Sequence, residues 1–324
     1  MHVYMDAVFY PNIYQHEEIF RQEGWSYKMD SLEDDLAYNG VVYNEMKGAF
    51  SSPDEVLERE IMNHLFPDTT YGCESGGDPK NIPDLTYENF LNFHRTYYHP
   101  SNSYIYLYGN MDMEEKLAFL DEHYLSHFDY LDVDSVIQEQ KAFGACRDVT
   151  LEYPVAENEG EEDNTYLSYN MVVGNAADSQ MAMAFEVLDY ALLSAPGAPL
   201  KQALLDVKAG KDVYGSYDDG ILQPYFTVIA KGSNPDRKEE FVSVIRQVLG
   251  DIVKNGIDRK AVEAGINYFE FRYREADFSS YPKGLMYSLD ILGDWLYEKG
   301  NPFAQVQQLT VFEKTEKGSK RRIF

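Results

Sequence analysis

The side chains best suited to hold a metal or move a proton are sparse in this sequence. Among seven histidines, only His123 and His127 stand four apart on a predicted helix, the spacing that sets two imidazoles on one face. A zinc-peptidase helix built on such a pair needs a glutamate at position 124, or at 126 in the inverted order. The sequence has Tyr124 and Ser126 there, which makes the two histidines surface or packing residues. His16, His64, His94 and His99 show no ligand spacing, and His94 falls on an apolar helical face. Cys73 and Cys146 stand far apart with no C-x-x-C pattern. That excludes a disulfide scaffold or a structural zinc site and fits a reducing compartment. No G-x-S-x-G, P-loop or G-x-G-x-x-G pattern occurs. Taken alone, the residues contain no complete active site.

The elements that would have to position any chemistry fall into two groups. Residues 1–128 read as mostly helical. Ser52, Pro53 and Glu55 form a helix start with a capping serine, proline at the first helical position and a capping box. Val56, Ile61, Leu65 and Phe66 follow before Pro67 stops the helix. Thr86 opens a second helix, with Phe90, Phe93, His94 and Tyr97 along one face. Tyr104 to Tyr108 has strand chemistry, and helical spacing resumes from Glu114 to Phe128. Residues 129–150 lose periodicity and read as a connector. Beyond it Leu167, Tyr169, Met171 and Val173 alternate as in a half-buried strand. Met181 to Leu192 is helical up to the break at Ser194–Gly197. Asp219-Gly220 signals a hairpin between two β-like runs. Phe241, Ile245, Val248 and Ile252, then Val262, Ile266, Phe269 and Tyr273, mark two helices. A strand, a hairpin and paired helices make an α+β domain with an antiparallel sheet packed by helices.

With 324 residues two domains are expected. The 44% hydrophobic content excludes wholesale disorder. The net charge of −27 repels nucleic acid and anionic membranes, so neither is an expected partner. It attracts cationic peptides, although many acidic proteins use charge only for solubility. The run 157–163, with five acids in seven positions, reads as a solvated loop. No apolar run is long enough to span a bilayer. The opening HVYMDAVFY has neither a basic n-region nor a cleavage site, so the expected location is cytoplasmic.

One run is distinctive: GVVYNEMKG at 40–48, SGGDP at 75–79 and YYHPSN at 97–102. Residues 40–110 closely resemble the presequence-protease branch of the M16 (pitrilysin/insulinase-like) metallopeptidases. The resemblance continues upstream through YMDAVFYPN and FRQEGWSY. Downstream it runs through DFSSYPKGL (277–285) and DWLYEKGNPF (294–303), covering nearly the whole chain. It implies M16-type domains, an activity of zinc-dependent endopeptidase on unfolded peptides, and Zn2+ as cofactor. In that family two histidines of an HxxEH helix and a distant glutamate hold the zinc, and the glutamate inside HxxEH is the general base. The distant glutamate matches Glu45, a third, anionic ligand that leaves one zinc position open for water. Without the surrounding motif, Glu45 would read as a solvated helix residue.

The sequence departs from the family at one decisive point. HxxEH should precede Glu45, and neither residues 1–44 nor any later part of the chain contains it. The expectation is therefore a first domain that is incomplete (1–130, the C-terminal part of the zinc domain) and a connector (131–147). A non-catalytic M16-like domain (148–312) and an atypical basic tail (313–324) follow. Ser75, Gly76 and Gly77 could shape a peptide cleft, since paired glycines permit close backbone approach, or could form a tight turn. A strand edge left uncovered in the first domain could be covered by a second copy, giving a dimer foreign to the parent enzyme.

Overall fold

The computed structural model describes residues 1–156, 158–176, 178–276, 278–297, 302–303 and 305–307. It divides the chain into two compact units, Met1–Pro154 and Val155–Phe324. Between the 3-10 turn Leu125–His127 and the strand that begins at Thr165, the described residues form neither helix nor strand. This irregular stretch is longer than the connector expected at 131–147. The expected tail, 313–324, lies outside the described residues.

The first unit is helical, as its periodicity predicts. It comprises α1 (His2–Phe9), α2 (Glu17–Glu23), β1 (Ser26–Lys28), β2 (Ala37–Asn39), α3 (Val41–Ala49), α4 (Pro53–Leu65), α5 (Tyr87–Tyr97) and α6 (Met113–His123). β1 and β2 pair antiparallel, with Tyr27 opposite Tyr38 and their rings stacked at 5.5 Å. Phe20 of α2 meets Tyr87 and Phe90 of α5. His94 is pinned by both ring nitrogens: Nδ1 bonds the Tyr14 hydroxyl at 2.7 Å and Nε2 the Val8 carbonyl at 2.8 Å.

Three expectations fail in this unit for local reasons. The Ser52 capping box does not form, because the Ser52 N–H that Glu55 would accept from is already donated to the Ala49 carbonyl at 3.2 Å. The cap at Thr86 does form, closed by Asn89 rather than an acid. The face of α5 expected to be apolar is not its buried one: Leu91 is buried, while Phe93 is 60% exposed. Residues 104–108 are not a strand. Strand propensity describes a fit to a pleated surface, and among the described residues no neighbouring strand supplies one.

The second unit contains β3 (Thr165–Val172), α7 (Ser179–Asp189), α8 (Pro199–Asp206), β4 (Asp212–Asp218), β5 (Tyr225–Ser233), α9 (Lys238–Asn255), α10 (Arg259–Glu275) and α11 (Lys283–Tyr297). The sheet order is β3-β5-β4, antiparallel throughout. The hairpin signalled by Asp219-Gly220 is present, joined by the longer loop 219–224. Leu167, Val213, Phe226, Val228 and Ala230 form the inner face of the sheet. Leu200 and Leu204 of α8 and Phe241 and Ile245 of α9 pack onto it, and α9 ends at Gly256 with φ 84°. Met183 and Val187 of α7 pack against Val262 and Ile266 of α10 in a second cluster. Burying such side chains contributes about 1.5–3 kcal/mol each. The fold is α+β, with helices packed on an antiparallel sheet.

Candidate functional site

Glu45 lies on α3, whose start is fixed by close backbone approach. A Cβ on Gly40 would overlap the Gly24 carbonyl oxygen and come within 2.8 Å of the Trp25 Cα. The Tyr43 N–H donates to the same Gly24 carbonyl at 3.3 Å, and the Asn44 amide donates to Asn39 Oδ1 at 3.1 Å. These contacts tie the first turn of α3 to the end of α2 and to β2. The Glu45 side chain itself is exposed.

The glycine loop is brought against the same helix. A methyl at Gly76 would overlap the Met46 sulfur and stand 2.9 Å from its Cε, so the loop backbone lies directly on Met46. Gly77 has φ +91°, a conformation side chains other than glycine's resist. Two carboxylates brace the loop from within. Glu74 Oε1 accepts from the Gly76 N–H at 3.4 Å and from the Ser75 hydroxyl at 3.5 Å, and Asp78 Oδ1 accepts from the Lys80 N–H at 2.8 Å. Gly76 and Gly77 thus form a turn packed on the helix of Glu45, and Ser75 is exposed at its rim. Gly40 is a positioning residue that sequence reasoning missed, although its place immediately before the helix is the signal that could have found it.

Other metal-ligating side chains are not assembled around Glu45. Tyr124 caps α6 with φ −136° and ψ −68°, so the helix ends between His123 and His127 and the two are not on one helical face. His123 packs on Phe119, His64 bonds the Glu60 carbonyl and His99 accepts from the Ser101 N–H. His2 bonds the Tyr124 hydroxyl, and His16 stands 4.0 Å from Glu18. Among the described residues no group of three or more His, Cys, Asp or Glu could hold a metal ion. The residues present therefore do not fit a complete zinc site.

The acidic run 157–163 is fastened at one end. Asp163 Oδ1 accepts from the Asn234 amide at 2.8 Å, and Oδ2 lies 3.2 Å from the Lys211 ammonium. These partners, Asn234 first, hold its carboxyl below the usual range. Glu157 lies outside the described residues. No described helix is long and apolar enough to cross a membrane.

Residues 84–269 match the family described as Peptidase M16 inactive domain, and the chain belongs to the M16 peptidase family. The matched stretch begins after both Glu45 and the glycine loop. The chain is 50% identical over 314 residues to Protein HypA of Clostridium perfringens, covering 97% of this chain and 32% of that protein. It is 38% identical over 305 residues to Presequence protease 1, chloroplastic/mitochondrial, of Arabidopsis thaliana, covering 93% and 28%. It thus spans about a third of the length of the curated relatives it matches. A solved peptidase M16 inactive domain from Pseudomonas fluorescens superposes with a TM-score of 0.59 at 18% identity, covering 86% of this chain and 66% of that one. That likeness establishes an M16-like fold.

Proposed function

We propose that this chain is part of a zinc metalloendopeptidase that encloses and hydrolyses unfolded peptides. It contributes Glu45 as the third zinc ligand and part of the substrate chamber, and it is inactive by itself. The observation that carries this reading is the geometry of α3: an exposed carboxylate next to a methionine held by the Gly76 turn, inside the run that resembles the presequence-protease branch. The 38% identity to a protein named presequence protease supports it. The net charge of −27 favours cationic peptides among unfolded ones.

A second reading is a non-catalytic chamber or interaction module. It is favoured by the match to an inactive domain and by the missing donor group among the described residues. The two readings part on Glu45. In a polypeptide that carries residues 1–324 behind an HxxEH helix, Glu45→Gln replaces an anionic ligand with a neutral amide. It should lower zinc content and peptide hydrolysis together while leaving the circular-dichroism spectrum intact. Glu55→Gln, on an exposed position of α4, should leave both unchanged. Equal effects at the two positions would favour the module.

A further inference from the structure

Glu186 occupies the middle of α7, between Phe185, which stacks on Tyr217 of β4 at 5.4 Å, and Val187, which is fully buried against α10. It is the half-buried polar member of a largely apolar junction. The Tyr273 hydroxyl of α10 donates toward both of its oxygens, at 3.4 Å each. Hydroxyl bonds to carboxyl groups are ordinarily about 2.5–3.0 Å, so this contact is weak and offsets little of the cost of a charge here. The groups facing it are mostly acidic. Asp219 stands in the β4–β5 loop and Asp290 on α11, while Tyr217 of β4 is the neutral aromatic neighbour. Asp178, at the start of α7, and Asp218 add negative charge around Tyr217. Among the described residues Arg272 of α10 is the cation that acts on it, its guanidinium lying over the Tyr268 ring at 5.8 Å.

We propose that Glu186 is a proton-operated fastener of the second unit: its neutral carboxyl lets α7, α10 and the β4–β5 loop close on one another, and loss of that proton loosens the junction. An ionised Glu186 would be a charge in an apolar seam facing two further carboxylates, with a weak hydroxyl contact to offset it. Burial, then Asp219, push its carboxyl up to about 8, against the smaller opposing effects of Tyr273 and Arg272. In the open chain the carboxyl has its ordinary value of 4.5. Between those two values the closed form binds more protons than the open one. Closure therefore weakens as pH rises through that window and levels off above it.

The test is hydrogen exchange with mass spectrometry on the full chain from pH 5 to 9, corrected for the intrinsic exchange rate. The opening equilibrium of segments 179–189 and 259–275 should rise by about tenfold per pH unit up to about pH 8 and then flatten. Glu186→Gln should abolish the slope. Asp219→Asn removes a carboxylate that raises the titration, so its plateau should begin at lower pH. Tyr273→Phe removes a hydrogen bond that lowers it, so its plateau should begin at higher pH. These opposite displacements decide the matter even if Glu186→Gln does not fold. A flat wild-type profile, a Glu186→Gln chain that keeps the slope, or plateaus of the other two variants that coincide with the wild type would each overturn the proposal.

Discussion

Glu45 and Met46 are neighbours on one turn of α3 and meet different surroundings, solvent for the acid and the Gly76 backbone for the thioether. The pairing makes a prediction about the loop. Gly76→Ala should force the flexible end of Met46 aside at a cost of about 1 kcal/mol, and Met46→Ala should cancel most of that cost in a double-mutant cycle. Gly77→Ala should cost about 1–2 kcal/mol through its φ of +91°, with no relief from Met46→Ala. Urea denaturation of the three single variants and the two doubles with Met46→Ala gives the answer; an additive Gly76–Met46 pair would contradict the contact. Glu45 was legible only through its motif, because an exposed helical glutamate has no signature of its own. Glu186 was not legible at all. A single acid in a helical run looks solvated until the fold shows which neighbours surround it.

At the scale of elements, the readable parts were those whose signal is local. The stripes of α9 and α10, the alternation of β3 and the Asp219-Gly220 hairpin follow from periodicity and turn chemistry, and the structure contains all of them. Residues 104–108 failed because a strand is a property of a pair. The face of α5 failed because several aromatic positions outvoted the single buried Leu91. The two helix starts give a direct comparison. Thr86 accepts the Asn89 N–H and Ser52 caps nothing. Thr86→Ala should therefore lower stability by about 1 kcal/mol, and Ser52→Ala by much less. Matched shifts in the denaturation midpoint would show that Ser52 caps its helix in solution after all.

The molecule as a whole joins two units of different make-up. Both clusters of buried apolar side chains found among the described residues lie in the second unit. The first unit has no such cluster among the described residues, and few packed apolar contacts are associated with low local stability. Limited proteolysis should cut Met1–Pro154 first and spare the stretch from β3 through α10. Equal resistance at high dilution would remove the difference, and resistance that grows with concentration would show a second copy covering the first unit. At this scale, too, one chain brings one ligand to the proposed zinc site. Metal analysis of the purified chain, dialysed against zinc and then against buffer, tests it most directly. With Glu45 as the one ligand brought by this chain, far less than one zinc per chain should remain and no chelator-sensitive cleavage of an unfolded peptide should be seen; one tightly held zinc per chain, or such cleavage, would rule that out.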